Sequence, residues 1–352
     1  MALTSSGAIK FSEIQSEFGY ATMGSYRLSE SYGGFDFALD NDTCGPSANA
    51  SIPTSGAIKF SDFYNARRNI VIDYHTGGDE FRKNARSKFD ASTDGSGIDI
   101  VGGLIGKPSS TTGKKVVIVV NKTIGGGNPS SLGIHGCSLH TGDWDNDTTL
   151  QVKVGSSGKI YGSGGSGGIG GAAGNNNGGS GQNGTSAIGI NYTNTAVTIT
   201  NNGKIQSGYG GGGGGAGRGR NVSTGKKSST WQTSTGGGGG GGAGLLLGGG
   251  GPAPSGASGG SNGSDGSIST KESSGAGGAG GNEAGSGGAG AVVDSSSTAG
   301  SNGSNSGGAS GGSGGANGYA IVTASGSGPT VTGTSVVGRV VTSTTPVPGG
   351  SA

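Results

Sequence analysis

Two uninterrupted runs of glycine, six residues at 210–215 and seven at 236–242, limit what this chain can fold into more than any other feature. Glycine brings no side chain to a core and loses more freedom on ordering than any other residue. Of the 88 glycines, 61 lie between 151 and 318. Ordering that stretch costs roughly 1–2 kcal/mol of backbone entropy per residue, which its few large apolar side chains do not offset. Collagen is excluded, because no strict Gly-X-Y period runs through the stretch and the whole chain has nine prolines. A flexible linker is the plain alternative, but a linker favours glycine mixed with soluble residues. The expectation is therefore a bundle of polyglycine II helices, extended and three residues per turn, whose amides pair between neighbours because no Cβ intervenes. A seven-residue run would span roughly 20 Å. Glycine-rich blocks at 162–181, 208–217, 236–250, 255–266, 275–290 and 307–318 supply the rods, and the stretches between them become loops.

The flanks read differently. SGAIKFS occurs identically at 6–12 and 55–61, followed by Glu13 or Asp62 and then by Ile14 or Phe63; RLSE at 27–30 is a shorter echo. Ser12, Ser29 and Ser61 are expected as helix N-caps, with Gln15 completing a capping box and Glu13, Glu30 and Asp62 in the first turn. Gly19 and Gly33-Gly34 supply stops. Residues 1–68 thus form a small α+β module. From 69 to 154, Val- and Ile-rich segments separated by Gly, Asn, Asp and Ser predict an all-β domain, with VVIVV at 116–120 buried on both faces. VKVGSSGKIYGSGGSGG at 152–168 aligns with VTITNNGKIQSGYGGGG at 197–213, so strands feed straight into glycine. Asn202-Gly203 carries a hairpin signal. The division is 1–68, 69–154, a polyglycine-helix bundle over 155–318, and a C-terminal strand segment and tail over 319–352.

A net charge of +2 gives no pull toward nucleic acid. VVIVV is too short to span a bilayer, and MALTSSGAIKFSEI has no basic stretch ahead of an apolar one, so neither membrane insertion nor a secretory signal is expected. Cys44 and Cys137 are expected as free thiols. The cluster HGCSLHTGDWDND at 135–147 offers His135, Cys137 and His140 to a metal and starts like a calcium loop, but Thr148 stands where glycine is needed and Val154 where a bidentate acid is needed. It reads as a structural loop anchored by Trp144. GGLIGKP at 102–108 lacks phosphate-loop spacing. No enzyme, cofactor or metal is expected.

Binding residues stand out better. AGRGRNVSTGKKSSTWQTST at 216–235 gathers Arg218, Arg220, Lys226, Lys227 and Trp231 in a region almost without charge or aromatics. Tyr209 and the triplet Leu245, Leu246 and Leu247 complete the candidate set, since exposed aromatic, arginine and aliphatic anchors are what binding surfaces use.

The spaced elements SGAI-basic-apolar-Ser-acidic, RLSE and a second SGAI copy resemble a module of bacteriophage tail and other virion proteins. Glycine runs alternating with other segments, entered through strand and NGKI and left through GYAIVTASG at 318–326, resemble the glycine-rich receptor-recognising adhesins at the tips of phage long tail fibres. The resemblance implies a virion protein on the tail exterior, made in the host cytoplasm, with a homotrimer as an assembly it allows. It implies other tail proteins as partners at 1–68, and a bacterial outer-surface protein or glycan at the loops. Three rivals remain: a purely structural tail or neck component, a freestanding ice-binding or wall protein, and a β-solenoid depolymerase.

Overall fold

The structure is a computed structural model. It describes residues 5–18, 53, 55–64, 70–74, 80–91, 111–113, 115–126, 136–145, 147–190, 197–225, 228–245, 247–255, 259–265, 275–281, 283–291, 302–306, 308–323, 328–334, 336–338 and 340–342. Of the sequence expectations, Ser29, Glu30, Gly19, Gly33-Gly34, Cys44, the 102–108 segment and His135 fall outside them.

The SGAI copies make two related turns. The first carries helix α1 (Phe11–Phe18) and the second a 3-10 turn at Phe60–Phe63. Both begin one residue before the expected serine caps, so Ser12 and Ser61 sit inside the first turn. Glu13 accepts a hydrogen bond from the Lys10 amide at 2.8 Å and Asp62 from the Lys59 amide at 2.7 Å, satisfying amides that would otherwise be left open at a helix start. Ile14 and Phe63, equivalent in the two copies, are both fully buried. Phe11 meets Phe60 edge to face, and the Tyr64 hydroxyl donates to the Gly7 carbonyl.

Strands then wind through three sheets in rotation. Strands β1 (Ile70–Tyr74), β2 (Glu80–Phe81) and β3 (Lys83–Asn84) lie one in each sheet, with helix α2 (Ala85–Ala91) after them. The same order repeats in β4 (Lys115–Val120), β5 (Thr123–Gly125) and β6 (Cys137–His140), and again in β7 (Thr149–Val154), β8 (Lys159–Tyr161) and β9 (Ser186–Ile190). The next coil is β10 (Val197–Asn201), β11 (Lys204–Gln206) and, far along the chain, β14 (Ile321–Thr323); β15 (Thr330–Gly333) and β16 (Val340–Thr342) follow. All pairings within these sheets are parallel. Each strand therefore bonds to its counterpart one coil away, as in a parallel solenoid. Like residues stack in ladders: Ile72, Ile118, Val152, Ile199 and Val331 in one sheet, Ile124, Ile160 and Ile205 in the second, and Leu139, Ile188, Ile321 and Val340 in the third. Apart from Val331, which is partly buried, and Val340, which is exposed, these ladder residues lie in the core, and all five residues of VVIVV are buried.

The expected fold class does not stand. The described chain is dominated by parallel-strand sheets with two short α-helices, rather than an α+β module, an all-β domain and a polyglycine II helix bundle with a C-terminal strand segment. The boundaries at 154/155 and 318/319 fall within single coils. The physical reason lies at the corners. The Asn202-Gly203 turn does not reverse the chain into a hairpin; it passes the chain from one sheet to the next, and the corners stack through Asn121 N to Tyr74 O, Gly155 N to Val120 O, Asn202 N to Val154 O and Thr334 N to Asn201 O. A Cβ on Gly203 would lie 2.1 Å from the Gly158 carbonyl oxygen, so the corners touch backbone to backbone.

The glycine stretches are not a separate helical domain either. They are insertions at one corner of two successive coils, 162–185 between β8 and β9 and 207–320 between β11 and β14. The parallel pairing of β8 with β11 simply continues outward, with Gly162, Gly165, Gly168 and Gly171 donating in turn to the carbonyls of Gln206, Tyr209, Gly212 and Gly215. Bonds to any one neighbour recur every third residue, so each extended segment has three bonding directions. Segment 235–243 is bonded to six others: 162–171, 207–217, 248–252, 260–264, 275–281 and 284–291. All seven amides of Gly236–Gly242 donate to other segments. A Cβ at Gly236–Gly240 or Gly242 would fall 1.8–2.1 Å from a neighbouring carbonyl oxygen, which is why these six positions admit no other residue. Outer segments read Gly-Gly-x instead. Gly275, Gly278, Gly285, Gly288, Gly312 and Gly315 are buried, whereas Ala276, Ala279, Ser286, Ala289, Ser310 and Ser313 face outward.

Candidate functional site

The array has two ends. Near the solenoid lie the starts of segments 162–171 and 207–217, and residues 243–245 and 247. At the far end lie the 172–177 turn, Glu283, and the hairpin of β12 (Arg218–Gly225) and β13 (Ser228–Ser234), which form the one antiparallel sheet among the described strands. At roughly 3.1 Å per residue of extended chain, the hairpin base at Arg218 stands about 31 Å from the corner at Gly208. β12 continues segment 207–217 and β13 leads into 235–243, so the hairpin springs from the two most fully bonded segments.

Its base is tied on two sides. The Gly219 amide donates to Asn175 Oδ1 at 2.9 Å, and the Gly217 amide to the Asn176 carbonyl at 2.8 Å. Arg218 Nη1 meets Glu283 Oε2 at 3.2 Å. The Arg218 Nε is buried with no partner among the described residues. Asn175 and Glu283 both adopt left-handed backbone, with φ of 63° and 57°. Asparagine takes that conformation readily; glutamate does so at a cost of about 1–2 kcal/mol. The position nonetheless carries a carboxylate facing Arg218, and its carbonyl accepts from the Ser306 hydroxyl. Neither Asn175 nor Glu283 stood out in the sequence, although each interrupts glycine with a group able to hold a backbone amide or a cation.

The candidate residues divide. Arg218, Arg220 and Trp231 lie on the hairpin, where Arg220 pairs with Gln232 and Trp231 with Asn221, so the arginines and the tryptophan occupy positions of opposite parity along the strands. Lys226 and Lys227 fall between β12 and β13, outside the described residues, as does Leu246. Over 216–235 the sequence has four basic residues and no acidic one, and Glu283 neutralises the one at the base.

The remaining candidates lie away from the hairpin. Tyr209 is 4% exposed and packs with Ala243 and Ala291 inside the array, so it is not available to a partner. Leu245 and Leu247 sit at the solenoid end. Leu245 donates its amide to Gly162 O, and its Cδ2 lies over Gly125 beside Phe81. Leu247 is 51% exposed, but at the opposite end of the array from the hairpin. Gly125 has no side chain because Leu245 and Phe81 fill that space.

The described residues of the 137–147 cluster pack onto the solenoid. Trp144 is buried in the core, donates to the Thr141 carbonyl at 2.8 Å and meets Phe89 of α2 edge to face at 5.7 Å; Arg86 lies over both rings. His140 Nδ1 accepts from the Gly142 amide at 3.1 Å, and Asp145 accepts from the Thr111 amide at 2.7 Å. Burial pushes the Cys137 thiol up to about 12. No group of three metal-binding side chains occurs among the described residues, and no described helix is long and apolar enough to cross a membrane.

Comparison with family models, curated proteins and solved structures finds no match for this chain.

Proposed function

We propose that this chain is a bacteriophage tail-fibre or tail-tip protein, carried on the virion exterior, that recognises the host surface through the loops joining its extended glycine segments. It acts as an adhesin without catalysis or cofactor. The repeated SGAI module joins it to other tail proteins, and a bacterial outer-surface protein or glycan is the partner at the far end. One observation carries the reading: a basic hairpin stands on the two most thoroughly cross-bonded segments of the array, far from the solenoid. A rigid stem costs little entropy on binding, and loops are where a fixed scaffold places recognition. The principal contact is the hairpin at 218–234, with Arg220, Lys226, Lys227 and Trp231 as its recognition residues; Arg218 belongs to its base.

The competing reading is a purely structural tail or neck component. Purified full-length protein added to host cells should compete with phage adsorption, and a version with 219–233 replaced by a short Gly-Ser turn should not. If both compete equally, or neither binds cells, host recognition through this hairpin is wrong and the structural reading takes its place.

A further inference from the structure

Asparagine followed by glycine occurs six times, at 177, 183, 202, 262, 302 and 317. In such a pair the glycine nitrogen attacks the asparagine side-chain carbon more readily than any other residue's would, because no side chain hinders it. Five of the six pairs are engaged in the array in a recurrent way. Where the segments run parallel, one residue is gripped twice. Asn177 Oδ1 accepts from Ser310 N at 2.9 Å while Gly178 N donates to Ser310 O at 2.9 Å, and Asn183 and Gly184 hold Ala316 likewise at 2.8 and 2.9 Å. Where they run antiparallel, the glycine reaches two residues back. Asn262 takes the Ala253 amide and Gly263 gives to Gly251 O; Asn302 takes Gly314 and Gly303 gives to Gly312; Asn317 takes Gly210 and Gly318 gives to Gly208. In every case the neighbouring segment holds both the carboxamide oxygen and the attacking nitrogen. The two cannot close on each other without breaking two hydrogen bonds.

Asn202 stands apart. It is exposed at the solenoid corner, and its carboxamide makes no hydrogen bond with a described residue; the Gly203 amide donates to Asn201 Oδ1 at 3.2 Å instead. We propose that Asn202 is a site of spontaneous covalent modification in the folded protein, and that the glycine array silences the other five pairs. The Gly203 nitrogen bonds to Asn202 Cγ, the Cγ–Nδ2 bond breaks, and Nδ2 leaves as ammonia carrying the proton from the Gly203 amide. Water then opens the resulting cyclic imide at either carbonyl, giving an aspartyl or an isoaspartyl linkage. No oxidant or reductant is involved. The isoaspartyl product lengthens the backbone where Gly203 already packs on the Gly155 and Gly158 carbonyls. From that corner β11 runs three residues and leads into the 207–320 insertion, so the change ages the chain just ahead of the array.

The test incubates full-length protein at mildly alkaline pH, folded and in guanidinium, and follows each pair by mass spectrometry. In denaturant all six convert at comparable rates. In the folded protein Asn202 converts while the other five slow by at least about tenfold, because attack requires a local opening. Asn202→Gln abolishes the conversion seen in the folded protein. Conversion of any of the five at its denatured rate in the folded protein overturns the proposal. So does an unmodified Asn202 after the denatured chain has converted, or conversion that persists in Asn202→Gln.

Discussion

Replacing Gly239 by alanine tests the array in its innermost glycine run. The Gly239 amide donates to Gly168 O at 2.8 Å and its carbonyl accepts from Gly251 N at 2.7 Å. The added Cβ would sit 2.0 Å from the Gly212 carbonyl oxygen, where ordinary contact begins at 3.4 Å. Segments 207–217 and 235–243 must therefore part by about 1.4 Å, the difference between those distances. Parting them breaks the ladder of Tyr209 N to Ala243 O at 2.9 Å, Gly212 N to Gly240 O at 2.8 Å and Gly215 N to Gly237 O at 2.8 Å. At about 1–2 kcal/mol for each buried bond left unmade, the loss is about 3–6 kcal/mol. A flexible tether would respond in the opposite sense, since alanine there restricts the unfolded chain and stabilises by about 0.4–1 kcal/mol or has no effect. Guanidinium unfolding gives the stability change, and hydrogen exchange at the 236–242 amides reports the array directly. Ala279→Ser, at an outward position, is the control and should stay within about 0.5 kcal/mol. A Gly239→Ala protein as stable as the control, or fast exchange at these amides in the wild type, would refute the reasoning.

Other consequences are open to measurement. Cys137, buried and with its thiol pushed up to about 12, should resist alkylation in the folded protein at neutral pH and react only after denaturation. Burial pushes the Glu80 carboxyl up, but hydrogen bonds and charges from Lys122 and Lys83 outweigh this and hold it below its ordinary value of 4.5. A depressed carboxyl stabilises above its unfolded value, so this contribution is lost as pH falls below 4.5 toward the lower folded value. Glu80→Gln should lose about 1–3 kcal/mol at neutral pH, because Lys122 is left buried without its carboxylate, and should flatten the acid limb of a stability–pH curve. The Arg218–Glu283 pair is partly exposed, so Glu283→Gln should change stability by less than about 1 kcal/mol; on our reading of the tip, faster hydrogen exchange at the hairpin base accompanies it.

How much of this was legible beforehand varies by feature. VVIVV announced a buried strand, and the repeated strand-to-Gly-Lys-Ile pattern announced where glycine segments begin. A run of seven glycines says that backbone will meet backbone. The solenoid was not visible, because its strands pair with partners one coil away, and Asn202-Gly203 uses the same chemistry for a corner as for a hairpin. The Gly-Gly-x period was there to be read at 163–171 and 275–281, and it separates outer segments from inner ones. Tyr209 misled for a simple reason: an aromatic amid glycines resembles an exposed anchor, yet small neighbours such as Ala243 and Ala291 leave it room to bury. Ser12 and Ser61 misled because the acidic residue that follows each of them reaches back to the turn's first amide.

The pairing of 178–184 with 308–318 has a consequence for how the molecule is made. Ser310, Ala316 and Tyr319 donate to Asn177, Asn183 and Ser186, each exactly matched across 133 residues. The first glycine segments to leave the ribosome thus wait for the last before their edge is closed. Contacts so distant in sequence form slowly, and the half-built stack spends that interval solvated. Once the final segment is in place, withdrawing it must break that closed edge, so how long the array persists follows from the rate of release rather than from the depth of any core.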